Sequence, residues 1–463
     1  MSSMARSWRV SRSAWSPARN PWPLSWPSFW TSARPRSTVA EPVSRLPCRM
    51  APGGRQKGDR MTHRASLGFV LGIVLIDMLG FGIVIPVFPG LIMHLAHVSI
   101  TQAAQYAGWL SAGYAAMQFV FAPVIGNLSD RFGRRPVLLA AVLALGLDYL
   151  LQAFAPAMSW LVAGRIIAGI TGASFSAAYA YIADVTPPEK RASAFGLIGM
   201  AFGIGFVVGP AAGGLLGTLG PRVPFMAASA LSLANFVFGW FTLRESLDAD
   251  HRRAFDWRRA NALSSLAVLK GQGRQVLWYV AALGVWQLAN VVYPAIWTYF
   301  AIAAYGLSTK AVGIALAVVG LTAALFQGVG MRYLLPVLGE RRAVIVGVIS
   351  LGLSALAYAW ATHVWQVYLA IAIGAFQGAV LPSISAMNSR AVDARSQGEL
   401  QGAVQSIGSI AQIVGPPLYA QALARFSGPQ AIADLPAMPM LLAATIGFVS
   451  LALFLKGAAG EKA

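Results

Sequence analysis

Gly126-Asn-Leu-Ser-Asp130-Arg131-Phe132-Gly133-Arg134-Arg135-Pro136 gathers one acid and three arginines into a few residues, with apolar sequence on either side. The flanking stretches, at about 106–125 and 137–155, each supply roughly the 20 residues that a helix needs to cross a bilayer. A charged knot between two such runs reads as the connection between two membrane spans. Working outward, the same alternation repeats. Other apolar stretches lie at about 66–88, 159–181, 195–218 and 223–243. After a charged interval, six more follow at about 276–302, 312–331, 343–361, 364–386, 401–422 and 436–455.

Composition agrees with twelve spans. Hydrophobic residues make up 57% of the chain and charged residues only 11%, with a mean hydropathy of +0.62. A water-soluble chain with so little charge could not cover its own surface. The net charge of +19 would suit a nucleic-acid binder, but its placement does not, and no nucleic-acid partner is expected. Residues 1–60 hold eleven Lys and Arg against Glu41 and Asp59, a contribution of +9. That stretch is rich in Arg, Ser, Pro and Trp and has neither a signal-peptide run nor a structural period; its Arg, its Ser and its few acids would also suit a transit peptide. Met61, opening Met-Thr-His-Arg-Ala-Ser directly before the first span, suggests a start assigned too far upstream. Residues 1–60 are therefore expected to be a disordered basic extension, and they contain the single cysteine, Cys48.

Orientation follows from Lys and Arg, which accumulate in cytoplasmic loops. The connections after spans 2, 4, 6, 8 and 10 carry Arg131, Arg134 and Arg135; Lys190 and Arg191; Arg244 to Arg274; Arg332, Arg341 and Arg342; and Arg390 and Arg395. The opposite connections carry only Arg222, Lys310 and Arg425. Both termini are thus expected in the cytoplasm. The organisation read from this is an N-terminal six-helix bundle at 61–243, a cytoplasmic linker at 244–275 and a C-terminal six-helix bundle at 276–463. The linker, with Arg252, Arg253, Trp257, Arg258 and Arg259, is either an amphipathic helix on the anionic leaflet or a solvated basic loop.

The halves echo each other. Gly209-Pro210 has a counterpart in Gly415-Pro416, Gly172-Ala173 in Gly378-Ala379, and Gly133-Arg134-Arg135 in Gly339-Glu340-Arg341-Arg342. Two related bundles around a midplane site are a recurring transporter design. The expected fold class is all-α integral membrane, twelve transmembrane helices in two pseudo-symmetric six-helix bundles.

The chemistry-bearing residues are few. In the loop after span 2, Gly126 and Gly133 permit close helix ends, while Asp130 can pair with Arg131, Arg134 or Arg135 in a releasable charge cluster. Span 5 reads Gly205-Phe-Val-Val-Gly209-Pro210-Ala-Ala-Gly213-Gly214, a pattern for a close, bent helix contact, its small residues permitting backbone approach and its proline removing a helical hydrogen bond. Asp77 lies near the centre of span 1 and Asp148 mid-way in span 3. A charge at the bilayer centre costs about 2.5–3.5 kcal/mol on insertion scales, so each needs a partner, a wet cavity or a proton. Asp77 is the first candidate for proton coupling; Asp148 is either a second or a structurally paired acid. Arg165, in span 4, must have an acid or a polar cavity beside it, or snorkel to the helix end. Gln287 and Asn290, one turn apart in span 7, can face a cavity, whereas Gln118, Gln152, Gln327, Gln377 and Gln412 read as interhelical glue.

The loop after span 2 and the span-5 pattern together resemble the major facilitator superfamily, the second being typical of its drug:proton antiporters. Ile76-Asp77 to Pro89, Leu147-Asp148-Tyr149, Tyr181-Ile-Ala-Asp184 and Gln397-Gly-Glu-Leu-Gln401-Gly402 narrow the resemblance to the tetracycline-efflux branch, over essentially residues 66–455. It implies the major facilitator fold and proton coupling through Asp77, Asp148 and Arg165. It also implies a cytoplasmic gate that includes Asp184, and a substrate-site role for Gln287. One position departs from the branch: Leu351 stands in span 9 where tetracycline exporters carry an acid.

No enzyme signature, phosphate-binding loop or metal-ligand spacing is present in the sequence, and no cofactor or metal is expected. The expected function is proton-coupled efflux of drug-like amphiphiles by a monomer in the bacterial inner membrane. The alternatives are a proton-coupled transporter of an endogenous metabolite and a non-transporting membrane protein. The expected partners are the small-molecule substrate, protons and membrane lipid.

Overall fold

The computed structural model describes residues 71–172, 175–187, 191–248, 250, 252–256, 264–392, 397–427 and 431–459. The extension at 1–60, Met61, Lys190, Trp257, Arg258, Arg259 and Arg395 lie outside them. Every regular element among the described residues is helical.

Span 1 is α1 (Leu71–Val84) followed by α2 (Phe88–Ala96), which meet at a 49° bend. Pro86 and Pro89 lack the N–H groups that would continue the helical ladder across this break. The crossing therefore runs to residue 96 rather than about 88. Spans 2 and 3 are α3 (Ile100–Phe132) and α4 (Arg134–Ala153), and span 4 is α5 (Met158–Gly172) with α6 (Phe175–Val185). A reciprocal Ser99/Gln102 capping box starts α3. Spans 5 and 6 are α7 (Arg191–Leu216) and α8 (Val223–Thr242).

The second half begins with α9 (Arg274–Asn290) and α10 (Val292–Tyr305), together span 7. Span 8 is α11 (Thr309–Leu325), a π-helical turn at Phe326–Gly330 and the first part of α12 (Met331–Trp360). Thr309–Trp360 is one helical run of 52 residues, too long for one crossing. It divides at Gly339, the only residue of α12 with non-helical backbone angles (φ 70°, ψ 166°). The connection expected at Gly339-Glu340-Arg341-Arg342 is thus a one-residue joint, which glycine's tolerance of positive φ allows. Span 9 is the rest of α12. Span 10 is α13 (Val364–Gly374), a 3₁₀ turn (Ala375–Ala379) and α14 (Val380–Arg390). Spans 11 and 12 are α15 (Gln397–Arg425) and α16 (Met438–Ala459). Nine helical runs qualify as crossings by length and hydropathy. Adding the bent first span, dividing the 52-residue run and including α15, which its Gln and Ser residues make less apolar, gives twelve among the described residues.

The core is divided unevenly between the two faces of the bundle. On the face away from the arginine-rich connections, one hydrophobic cluster joins both halves: Leu91, Ala107, Leu110 and Phe225 with Ile296, Phe300, Tyr358 and Tyr419. There α3 packs on α15 and α7 on α11. Gly108 lies so close to Ala420 and Pro416 that a Cβ on it would overlap them, and Gly214 abuts Gly313. Toward the basic face the clusters separate. Ile73, Met78, Leu139 and Tyr181 belong to the first half alone, and Tyr279, Val348, Leu351 and Phe454 to the second. The halves are therefore sealed together at the far face and parted at the basic face.

Between the halves, residues 252–256 are extended, and Ser264–Gly271 forms a 3₁₀ segment packed on α15. The Arg253 N–H donates to the Asp130 carbonyl at 3.1 Å, and Asn127 Nδ2 to the Asp256 carbonyl at 2.8 Å. The described part of the linker is thus tied to both halves.

Candidate functional site: a buried charge pathway and a basic-face lock

Asp77 sits mid-way along α1, half-buried, and accepts a hydrogen bond from Asn235 Nδ2 of α8 at 3.2 Å. The same amide also donates to the Ile73 carbonyl at 3.1 Å. No cation lies within ion-pairing distance of Asp77 among the described residues. Its helix is held by the span-5 glycines. A Cβ on Gly205 would overlap Met78, one on Gly209 would overlap Gly82, and one on Gly213 the Ile83 carbonyl. Pro210 lies against Gly82. The close contact expected of the span-5 glycines is present, its partner is span 1, and its register brings α7 against the residues adjoining Asp77.

Asp148 and Arg165 are brought together, but through an intermediary. Gln152, one turn after Asp148 and fully buried, donates from Nε2 to Asp148 Oδ2 at 2.5 Å. Its Oε1 accepts from Arg165 at 2.8 Å. An amide can do both at once, having an acceptor and donors on one planar group. Gly164 makes room for this bridge, because a Cβ there would overlap Asp148 Oδ1. The guanidinium also lies 4.9 Å from the centre of the Phe88 ring in α2, within cation–π range. Arg165, in span 4, thus touches two other spans of the first half. Sequence reading placed Gln152 among generic helix glue; its spacing of four residues from Asp148 was the available signal.

On the basic face, Arg134 is the hub of the predicted cluster. It contacts Asp130 Oδ1 at 2.5 Å, Asp184 Oδ2 at 3.2 Å and Ser129 Oγ at 3.1 Å. Arg135 donates to the Trp240 carbonyl at 2.7 Å, whereas Arg131 is exposed beside the Phe132 ring. Gly126 stands one turn before Asp130 on α3. Sequence reading missed Glu245, just beyond α8. Its carboxylate accepts from the backbone N–H groups of Arg134 (2.8 Å), Arg135 (3.3 Å), Ser246 (3.0 Å) and Leu247 (3.2 Å). It thereby caps α4, whose N-terminal N–H groups have no partner within the helix. Gly133, at φ 103°, admits this carboxylate where any Cβ would collide with it.

In the second half, Asn290 Nδ2 donates to Gln377 Oε1 at 2.7 Å, joining the break between α9 and α10 to the 3₁₀ turn of span 10. Gln287 packs against Gly408 of α15, its Nε2 buried without a hydrogen-bond partner. The two predicted cavity residues are therefore neighbours on one helix with different surroundings. Leu351 is fully buried in the second-half cluster.

These features define a polytopic helical membrane transporter: two bundles, intramembrane acids and an arginine confined to one of them, and a charge lock at one face. Known proteins place it more closely. The Major Facilitator Superfamily model matches residues 70–416 and 281–462, and the chain belongs to that family. It is 40% identical over 376 residues to tetracycline resistance protein, class C, of Escherichia coli, covering 80% of this chain and 93% of that one. It is 36% identical over 350 residues to tetracycline resistance protein, class E, also of Escherichia coli, covering 76% and 86%. The fold is similar to that of the human organic anion transporter MFSD10 (TETRAN), with a TM-score of 0.62, 22% identity and coverage of 85% and 99%.

Proposed function

We propose that this chain is a proton-driven exporter of tetracycline-like and other amphiphilic drug molecules. In this reading it works as a monomer in the bacterial inner membrane, with its basic face and both termini in the cytoplasm. The observation that carries the reading is Asp77: a carboxyl inside span 1, mid-way along α1, held by one amide and with no cation at ion-pairing distance among the described residues. Such a group is stable there when it holds a proton or faces water, and exchange between those conditions is what coupling requires. The parted basic face gives cytoplasmic substrate and water a way to the level of Asp77. The sealed far face must open for release outward.

The other residues take parts consistent with this. Asp148, Gln152 and Arg165 form a neutral, hydrogen-bonded set that transmits a change at the span-1 bend through Phe88. Asp130, Arg134, Asp184 and Glu245 close the basic face in one state and yield in the other. Gln287 and Asn290 offer uncharged hydrogen-bonding groups to substrate. With Leu351 buried where the branch carries an acid, coupling rests on the first half, bounded at 61–243.

The test is substrate-dependent proton movement in proteoliposomes with tetracycline and a panel of lipophilic cations. Wild type is expected to exchange protons for substrate, and Asp77→Asn to bind substrate without exchange. Undiminished coupled exchange in Asp77→Asn refutes the assignment.

A further inference from the structure

The seal at the far face changes character along α3. Where Gly108 meets Ala420 and Pro416 of α15, the contact is tight and leaves no room for a Cβ. One turn nearer the α3 N-terminus it becomes polar. Gln105 Nε2 donates to Gln421 Oε1 at 3.2 Å, joining side chains of opposite halves. Because α3 starts at Ile100 and α15 ends at Arg425, this amide pair stands just outside the tight contact. Both glutamines are half-buried and both border a hollow of about 250 Å³. Its other walls are Val98, Gln102, Tyr106 and Trp109, the last three exposed. Gln102 is engaged within its own helix end, where its Oε1 accepts from the Ser99 N–H.

The two kinds of contact answer separation differently. Parting the apolar seal exposes buried surface, which water does not compensate. Parting two amides beside a hollow costs little more than the bond itself, since water can bond to each of them. We propose that Gln105 and Gln421 are the outer latch of the transporter, a hydrogen bond that holds spans 2 and 11 shut and is exchanged for water when the far face opens. The proposal rests on the export reading, which requires that opening. The neutral chemistry suits the task. One amide–amide bond shifts a closed-to-open ratio by about three- to tenfold, enough to favour the sealed state without trapping it. A charged pair at the same place would hold more tightly.

Leu110→Cys in a Cys48→Ser background puts the chain's one thiol inside the seal. The rate at which a membrane-impermeant maleimide modifies it in right-side-out membrane vesicles reports opening of the far face. No substrate or proton gradient is applied, so the outcome is separate from that of the Asp77 test. Gln105→Ala and Gln421→Ala are each expected to raise the rate about three- to tenfold. The double alanine variant should exceed neither, because both substitutions remove the same bond. Gln105→Lys with Gln421→Glu supplies an ion pair and should return the rate to the wild-type value or below. Val142→Cys in place of Leu110→Cys reports from a core belonging to the first half alone, and its rate should not change in any of these backgrounds. Unchanged rates in both alanine variants, or a double variant equal to the product of the singles, overturns the latch. So does a Lys–Glu pair no slower than the double alanine variant, or a parallel rise at Val142→Cys, which would mark general loosening.

Discussion

Replacing Gln152 with leucine removes the amide that links Asp148 to Arg165 while keeping the volume nearly constant. Two hydrogen bonds are lost, at 2.5 and 2.8 Å, each with a charged partner. Bonds of that kind contribute about 1.5–3 kcal/mol apiece, and a buried charge left without its partner costs more than its share. The expected destabilisation is therefore about 3–6 kcal/mol. Gln118→Leu is the matched control. It removes the bond from Nε2 to the Gly172 carbonyl at 3.2 Å and a hydrogen bond with Tyr114, both with uncharged partners, and should cost about 1–2 kcal/mol. Thermal unfolding in detergent reads the comparison, with a drop in midpoint for Gln152→Leu several times that for Gln118→Leu. A double variant, Asp148→Asn with Gln152→Leu, should lose less than the two single losses combined, because one acceptor is already neutral. Equal midpoints for the two leucine variants would show that Asp148 and Arg165 re-pair directly and that the bridge carries no energy of its own.

Other perturbations follow from the same geometry. Glu245→Ala strips the cap from α4 and should lower stability by about 1–2 kcal/mol, with Glu245→Gln losing less, as read by thermal unfolding. Gly213→Val drives a side chain into the Ile83 carbonyl and should sharply reduce folded protein by size-exclusion chromatography. Gly199→Ala, where a Cβ meets nothing within 4 Å, should not. Leu351→Asp puts a carboxyl into a fully apolar cluster. On insertion scales that costs about 2.5–3.5 kcal/mol, so membrane accumulation should fall and no second proton-coupling site should appear in flux assays.

Which of these features could be read from the sequence depends on distance along the chain. The spans, the Asp130–Arg135 knot and the span-5 glycines are local patterns, and twenty apolar residues or a glycine every four residues need no partner to be recognised. Glu245 and Asn235 were invisible for the opposite reason. Each acts on an element more than a hundred residues away, Glu245 on the α4 N-terminus and Asn235 on Asp77, and neither stands in a local pattern. The expected loop at Gly339 was half right. The position turns the chain, but it does so in one residue because the arginines that follow continue helically. Leu351 illustrates a different limit. Its identity is plain in the sequence, while its complete burial depends on how Gly447 and the α9 residues meet around it.

The uneven seal between the halves has an electrical consequence. A membrane voltage falls where there is dielectric and not where there is electrolyte. With the bundle parted on the basic face and dry at the cluster around Leu110, Phe300 and Tyr419, most of the drop is concentrated across the far part of the membrane's thickness. An elementary charge moved through the whole drop changes energy by about 2.3 kcal/mol per 100 mV. In the proposed coupling through Asp77, that work would be done over a shortened path between Asp77 and the far surface. On that proposal, the same apolar plug that keeps the two halves together would also be the insulator across which the driving force is applied.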